Sequence, residues 1–262
     1  MSEFWLREIK VNVAGLEFIY PDIEIQFRME FDDTDDPDIA VVELYNLKRE
    51  TENKIKKGEQ LILSAGYQGD IGTVIAGEIA EVYSRMEGVD RICEIEVVDA
   101  TEAFLRQRIS KTYKEGITAS QVLADVLDKT GLEIGAINLP DDVTYDNGRT
   151  VDGRLKEVAR QIVDDGGGKL YINNGTIFAV PKDFGQDVGV FISKESGLLH
   201  SPTRVDSDDA EWDIESLLNY RIRAGAKVKV ESETANGLYR VIKGEHRSGG
   251  GEHSTRIEVA EA

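Results

Sequence analysis

Apolar and polar side chains alternate along much of the first hundred residues. The clearest stretch is DIEIQFRMEF (22–31), in which every second residue from Ile23 to Phe31 is apolar. A period of two over this length predicts a half-buried strand, with one face on a core and the other in water. Similar stretches lie on either side, separated by turn-forming runs such as DDTDDPD (32–38). Many strands with short connections indicate a closed or nearly closed antiparallel barrel.

The pattern changes to a helical one in the middle of the chain. In TASQVLADVLDKTG, Thr118 is followed three residues later by Gln121, which predicts a capped helix that stops at Gly131. DGRLKEVARQIVDDGGG predicts a second helix, and its apolar face consists of Leu155, Val158, Ala159, Ile162 and Val163. The hairpin that follows turns at Asn174–Gly175. These elements predict a small α/β unit inserted after the first barrel.

Strand patterns return in the last part of the chain, so the predicted layout is a barrel, an α/β insert and a second β unit. In RIRAGAKVKV (221–230) basic residues alternate with apolar ones. The basic residues are Arg221, Arg223, Lys227 and Lys229. We expect them to form the polar face of one strand, with a bend or bulge at Gly225. Such a row has three interpretations, namely a nucleic-acid site, a surface for an acidic protein, and a solvated strand face.

The net charge of the chain disfavours the first of these interpretations, a nucleic-acid site. The formal net charge is −19, and residues 1–100 hold ten Lys and Arg against twenty-three Asp and Glu. Phosphate binding requires a basic surface, so a general nucleic-acid binder is disfavoured. An OB-like nucleic-acid-binding module would also need aromatic side chains beside the basic row, and only Tyr220 and Tyr239 are available there. No apolar run approaches the roughly 20 residues that span a bilayer, so no membrane insertion is expected.

Candidate chemistry is sparse, and we predict no catalytic, cofactor-binding or metal-binding residue. Cys93 lies in an alternating stretch and is expected to be a buried core thiol. The acidic run 32–38 lacks the pattern of a calcium loop and is expected to be solvated. The glycines of GGGK (166–169) are expected to end a helix. His246 and His253 are too few to hold a structural zinc, so we expect exposed hairpin histidines.

The closing segment resembles the carboxy-terminal end of baseplate hub proteins of tailed phages, the late-control-type tail proteins that are related to the hub part of the type VI secretion spike. The resemblance rests on Leu217-Leu218-Asn219, Gly225, Val228-Lys229-Val230, Asn236-Gly237, Tyr239-Arg240-Val241 and His246. Residues 117–135 and 153–181 also resemble the insert of that family. These motifs are structural, so they identify a family more firmly than they identify residues.

The resemblance implies an α+β, mainly β fold, with two tube-like antiparallel β-barrel domains and a small α/β insert between them. The corresponding domains are 1–108, 109–190 and 191–262. It further implies a homotrimer that forms a pseudo-sixfold ring and joins a tail tube protein to a central spike protein, with the tape-measure protein as a further candidate partner. Such a protein is made in the host cytoplasm and resides in the virion tail or baseplate. A tail-associated hydrolase remains an alternative.

Two site hypotheses follow. An acidic channel wall would let DNA or a tape-measure protein pass without sticking, and we expect Asp22, Glu24 and Glu30 to line it. Arg221, Arg223, Lys227 and Lys229 are expected to meet the acidic first hundred residues of a neighbouring subunit, or the tube.

Overall fold

The computed structural model describes residues 6–207 and 209–262, which form two compact units. Unit 1 contains the described residues up to 32 together with residues 38–98 and 185–262, and unit 2 contains residues 33–37 and 99–184. The strands in chain order are β1 (Arg7–Val13), β2 (Leu16–Ile19), β3 (Ile25–Asp32), β4 (Ile39–Tyr45), β5 (Gln60–Tyr67), β6 (Asp70–Glu87), β7 (Asp90–Val98), β8 (Arg108–Tyr113), β9 (Ile117–Thr118), β10 (Glu133–Ile137), β11 (Thr144–Tyr145), β12 (Arg149–Arg154), β13 (Gly168–Asn173), β14 (Thr176–Pro181), β15 (Gln186–Ile192), β16 (Thr203–Arg204), β17 (Trp212–Leu217), β18 (Ala226–Glu231), β19 (Asn236–Gly249) and β20 (Glu252–Glu261). The helices are α1 (Arg49–Glu52), α2 (Glu102–Arg106), α3 (Ala119–Leu127) and α4 (Leu155–Asp165), with a 3₁₀ turn at Lys194–Ser196.

Unit 1 is built on one 13-stranded sheet. Its main path runs β16-β17-β20-β19-β3-β4-β7-β6-β5-β1-β2, and β18 and β15 branch from β19. Pairing along the path is antiparallel, and β15 joins β18 in parallel. The pair β3–β19 connects the early and late β segments of the chain, with Met29 opposite His246.

One hydrophobic core serves both β segments of unit 1. Side chains from the early strands, such as Phe27 and Ile95, and from the late strands, such as Val228 and Ile257, belong to the same buried cluster. The alternating pattern explains this, because each strand turns its apolar residues inward and its polar residues outward. The core therefore brings together residues that are far apart in the sequence.

The mainly β fold with few helices confirms the predicted fold class. The compact units end at residues 98 and 184, whereas the predicted domain boundaries were 108/109 and 190/191. The two β segments lie together in unit 1 because they share the β3–β19 pair and one core. The division of this unit into two tube-like barrels at 1–108 and 191–262 stays a prediction.

Unit 2 contains the two helices that the sequence predicts. The Thr118 side chain accepts a hydrogen bond from the backbone N–H of Gln121, and the Gln121 side chain accepts one from the backbone N–H of Thr118. Helix α4 ends at Asp165 with Gly166 as its C-cap, and its five predicted apolar residues are all buried. The hairpin β13–β14 turns at Asn174–Gly175, where both residues have positive φ. The predicted capping box, helix faces and hairpin are confirmed.

The acidic run also belongs in part to unit 2, and it is not a solvated loop. Asp33 forms an ion pair with Lys169, Asp36 forms one with Lys156, and Arg160 donates from Nε to Asp35 at 2.7 Å. Asp33 is buried. The expectation of solvated carboxylates is wrong here because a basic row on α4 and β13, distant in sequence, supplies their partners.

Predicted helix and strand ends differ from the structure at two other places. Helix α3 ends at Leu127, four residues before the predicted stop at Gly131. Strand β3 begins at Ile25, so Asp22 and Glu24 precede it. Among residues 6–207 and 209–262, no helix is long and apolar enough to cross a bilayer.

Candidate assembly surfaces

The basic row predicted over 221–230 is divided between a turn and a strand. Strand β18 begins at Ala226, so Arg221 and Arg223 lie in the connection that precedes it, whereas Lys227 and Lys229 lie on the strand itself. Gly225 has a φ of 73° and adopts the left-handed conformation at the start of β18. Four alternating basic residues therefore do not form one strand face.

Arg221 binds an acidic residue of its own chain. Its two Nη atoms lie 2.9 and 2.7 Å from the carboxylate oxygens of Asp70, and the Tyr220 hydroxyl donates to the same carboxylate at 3.0 Å. The guanidinium also stacks on the Tyr220 ring at 4.4 Å. The hydrogen bonds from Arg221 hold the pKa of Asp70 below its usual range. The acidic partner expected on a neighbouring subunit is, for this residue, at the start of β6 in the same chain.

Arg223 is likewise bound within the chain. It donates from Nε to the Tyr220 carbonyl at 3.2 Å and from Nη2 to the Thr73 carbonyl. Its side chain is half-buried. Together with Arg221 it fastens the connection before β18 to β6, so these two residues contribute to the internal structure of unit 1.

Lys227 and Lys229 have a different environment. Among the described residues, no carboxylate forms an ion pair with either of them. Lys229 lies beside Phe191 of β15 and Leu238 of β19 in the strand register, and its Nζ is 5.6 Å from the centre of the Phe191 ring. Phe191 and Leu238 are 43% and 47% exposed. We call Phe191, Lys227, Lys229 and Leu238 the β18 patch.

The predicted channel residues belong to a surface that is densely charged. Asp22, Glu24 and Glu30 are all exposed, but only Glu30 lies on β3. The outward side chains of seven adjacent strands share one side of the sheet, and we call this side the charged face. Its charged residues include Asp213 and Glu215 on β17, Glu252, Arg256 and Glu258 on β20, Lys243, Glu245 and Arg247 on β19, Arg28, Glu30 and Asp32 on β3, Glu43 on β4, Glu94 and Glu96 on β7, and Glu81 and Arg85 on β6. Carboxylates outnumber cations on it.

Diagonal ion pairs organise the centre of the charged face. Arg28 and Arg247 are directly opposite each other on β3 and β19, as are Glu30 and Glu245. Like charges in such positions repel, and each arginine instead bonds carboxylates along or across the strands. Arg28 lies 2.6 Å from Glu245 and 2.6 Å from Glu30, and Arg247 lies 3.0 Å from Glu252. A groove of about 520 Å³ lies beside these arginines, lined also by Glu43 and Gly250.

The two hairpin histidines are buried, so the expectation of exposed histidines is wrong. His246 contacts the Thr255 hydroxyl through Nδ1 at 2.8 Å and donates from Nε2 to the Ile222 carbonyl at 2.9 Å. His253 contacts the Ser248 hydroxyl at 2.9 Å and donates to the Gly66 carbonyl at 3.1 Å. Burial lowers the pKa of His246 to about 3 and that of His253 to about 4. Both are neutral structural residues, and they hold the connection before β18 and strand β5 against the β19–β20 hairpin.

The other residues that could carry chemistry have structural roles. Cys93 is buried in the core as predicted, and burial followed by the charge of Glu52 raises its pKa to about 11. Among the described residues, no group of three His, Cys, Asp or Glu side chains is placed to hold a metal ion. Tyr239 is buried and Tyr220 lies against Gly72, so neither ring is open for stacking on a base.

The fold is similar to that of tail proteins of known structure. The 43 kDa tail protein of prophage MuSo2 from Shewanella oneidensis superposes with a TM-score of 0.69 at 11% identity, over 97% of this chain and 97% of that one. The tail protein from Neisseria meningitidis MC58 gives a TM-score of 0.67 at 10% identity, over 98% and 97% of the two chains.

A type VI secretion protein has the same fold. The c3393 protein of E. coli, a component of that system with structural similarity to the bacteriophage T4 tail proteins gp27 and gp5, gives a TM-score of 0.65 at 10% identity. The superposition covers 97% of this chain and 77% of that one. No family model and no curated protein matches the sequence.

Proposed function

We propose that this chain is a structural hub protein of a phage tail, a prophage or a phage-tail-like particle. The observation that carries the proposal is the fold that this chain shares with the tail proteins from prophage MuSo2 and from Neisseria meningitidis, over nearly the whole length of each chain. The internal roles of the two histidines and of Cys93 agree with a structural protein, because the groups that most often carry catalysis are here used for packing. The c3393 protein extends the same fold to type VI secretion.

In this proposal three copies form a pseudo-sixfold ring that joins the tail tube to the central spike. The ring is located in the tail or baseplate, and its partners are a tail tube protein, a spike protein and the tape-measure protein in the channel. A subunit with two different complementary surfaces builds a closed ring when the rotation from one copy to the next closes.

The charged face provides a channel wall for such a ring. Glu30, and Asp22 and Glu24 beside β3, add negative charge to a face on which carboxylates are already in excess. A net charge of −19 in each subunit repels the phosphate backbone of DNA, so DNA would pass without adhering.

The proposal is tested by the molecular mass of the protein in solution, measured by light scattering alone and after mixing with the neighbouring tail proteins. We expect a trimer, or trimerisation on mixing. A chain that stays monomeric with tube and spike proteins present contradicts the hub function. An electron cryomicroscopy map of the assembly then places Asp22, Glu24 and Glu30, and carboxylates on the outer rim contradict the channel assignment.

A further inference from the structure

The distal part of the β6–β7 hairpin exposes apolar side chains that no described residue covers. Tyr83, Met86 and Val89 are 53%, 62% and 92% exposed. Strand β6 pairs with β5 only from Asp70 to Glu78, so its last residues pair with β7 on one side alone. An open strand edge beside exposed apolar side chains is a surface that associates. We call residues 81–91 the hairpin tip.

The hairpin tip carries a small net negative charge. Between residues 81 and 91 the acidic residues are Glu81, Glu87 and Asp90 and the basic ones are Arg85 and Arg91, a net charge of −1, and Glu81 pairs with Lys57 of the same chain at 2.6 Å. The guanidinium of Arg85 is already shared among Glu43, Glu87 and Glu94. The tip therefore presents apolar groups in negatively charged surroundings.

The β18 patch is complementary to the hairpin tip in both respects. It exposes Phe191 and Leu238, and it carries Lys227 and Lys229 without a carboxylate partner among the described residues. Strand β15, which holds Phe191, is also an edge strand, because within residues 6–207 and 209–262 it pairs with no strand but β18. The apolar side chains would lose their contact with water when the two surfaces meet. The opposite charges would orient the two surfaces and raise the rate at which they associate.

From this complementarity we propose that the β18 patch of one copy binds the hairpin tip of a second copy of this chain. The inference rests on the proposed hub function and specifies its subunit contact. Because the two surfaces are different, the contact is head-to-tail, and such contacts build rings when the rotation closes. Each subunit then uses one patch and one tip.

Cross-linking between chains tests the contact directly. The variants Val89→Cys and Leu238→Cys each add one accessible thiol, and the native Cys93 is buried and does not compete. The two variants, with tags of different size, are mixed under conditions that give the trimer and treated with a short bis-maleimide. We expect a mixed product in at least roughly tenfold excess over the product from either variant alone, since a head-to-tail contact joins unlike positions.

Three outcomes overturn the proposal. A trimer without the mixed product shows that other surfaces join the copies, and the hub function survives. A product between Leu238→Cys and the tube protein assigns the patch to the tube instead. A sample that stays monomeric with tube and spike proteins contradicts the hub function itself. The control variant is Ile62→Cys, whose side chain is similarly exposed but lies on β5 outside both surfaces.

A charge reversal gives a second measurement. Lys227→Glu together with Lys229→Glu should weaken trimer formation by about tenfold or more, because it places carboxylates against the acidic tip. The matched control is Arg108→Glu with Lys114→Glu, which changes the net charge equally at exposed basic residues of unit 2, outside both surfaces. Equal weakening by both double variants shows an effect of net charge alone and overturns the assignment of the patch.

Discussion

Gly72 lies directly against the ring of Tyr220, and this contact makes the site intolerant of any side chain. A Cβ atom at residue 72 would be 2.1 Å from Cε2 of Tyr220. We expect Gly72→Ala to lower the free energy of unfolding by about 1–3 kcal/mol, the usual cost of overpacking. Urea unfolding followed by tryptophan fluorescence measures it.

The variant Tyr220→Ala separates the clash with the ring from the other effects of replacing Gly72. When Tyr220→Ala removes the ring, adding Gly72→Ala should cost much less than it does in the native chain. An equal cost in both backgrounds would mean that the Tyr220 contact is not the cause.

The buried histidines make stability depend on pH. An unfolded histidine has a pKa of about 6.5, whereas His246 and His253 have folded pKa values of about 3 and about 4. Between these values the unfolded state binds more protons, so stability rises with pH up to about 6.5 and is lost on acidification. Each histidine contributes a slope of up to about 1.4 kcal/mol per pH unit. Unfolding midpoints between pH 5 and 7.5 measure the slope.

Two histidine variants give the control for this effect. His253→Gln should remove about half of the slope, because one of two titrating groups is gone. His200→Gln should leave it unchanged, since His200 is exposed. A slope that is the same in all three proteins would assign the pH dependence to other groups.

At the scale of elements, the capping box at the start of α3 is a local sequence feature that stabilises a helix. Thr118→Ala removes the side-chain acceptor for the Gln121 N–H and should cost about 1 kcal/mol. The comparison variant is Thr150→Ala on β12, whose hydroxyl makes one side-chain hydrogen bond in the described part of the chain, to the exposed hydroxyl of Thr112. Thermal unfolding by circular dichroism compares the two, and equal midpoints would show that the cap is energetically silent.

Structural features that depend on residues close together in the chain could be predicted from the sequence. The cap at Thr118, the buried face of α4 and the turn at Asn174–Gly175 depend on neighbours within a few residues. The alternation in 22–31 likewise predicted the strand that became β3, although Asp22 and Glu24 fall outside it.

Features with distant causes could not be predicted. Arg221 reads as one member of an alternating row, but its position is determined by Asp70, 151 residues away. The Nε2 of His253 is held by the carbonyl of Gly66, 187 residues away. The alternation of residues within one segment does not show which distant residue a side chain will contact. The sequence therefore predicts one strand for the basic row and an exposed position for the histidines, and both predictions are wrong. The family resemblance indicated the fold but not these contacts.

At the scale of the whole molecule, the charge predicts behaviour toward nucleic acid. With a net charge of −19 the protein should pass through a single-stranded DNA column without retention at about 0.1 M salt, because its net negative charge repels the phosphate backbone. Retention that weakens steeply with salt would instead support the OB-like module. An equally sized basic protein serves as the positive control for the column.

The pairing of β3 with β19 also has a consequence during synthesis. Arg28 and Glu245, which bond across this pair, are 217 residues apart. At a translation rate of about 5–20 residues per second, roughly 10–40 s pass between their appearance on the ribosome. Throughout that interval β3 has been made without the neighbour that completes its hydrogen bonding, and its edge can pair with other nascent chains. The nascent chain is therefore expected to depend on chaperones while the sheet is incomplete.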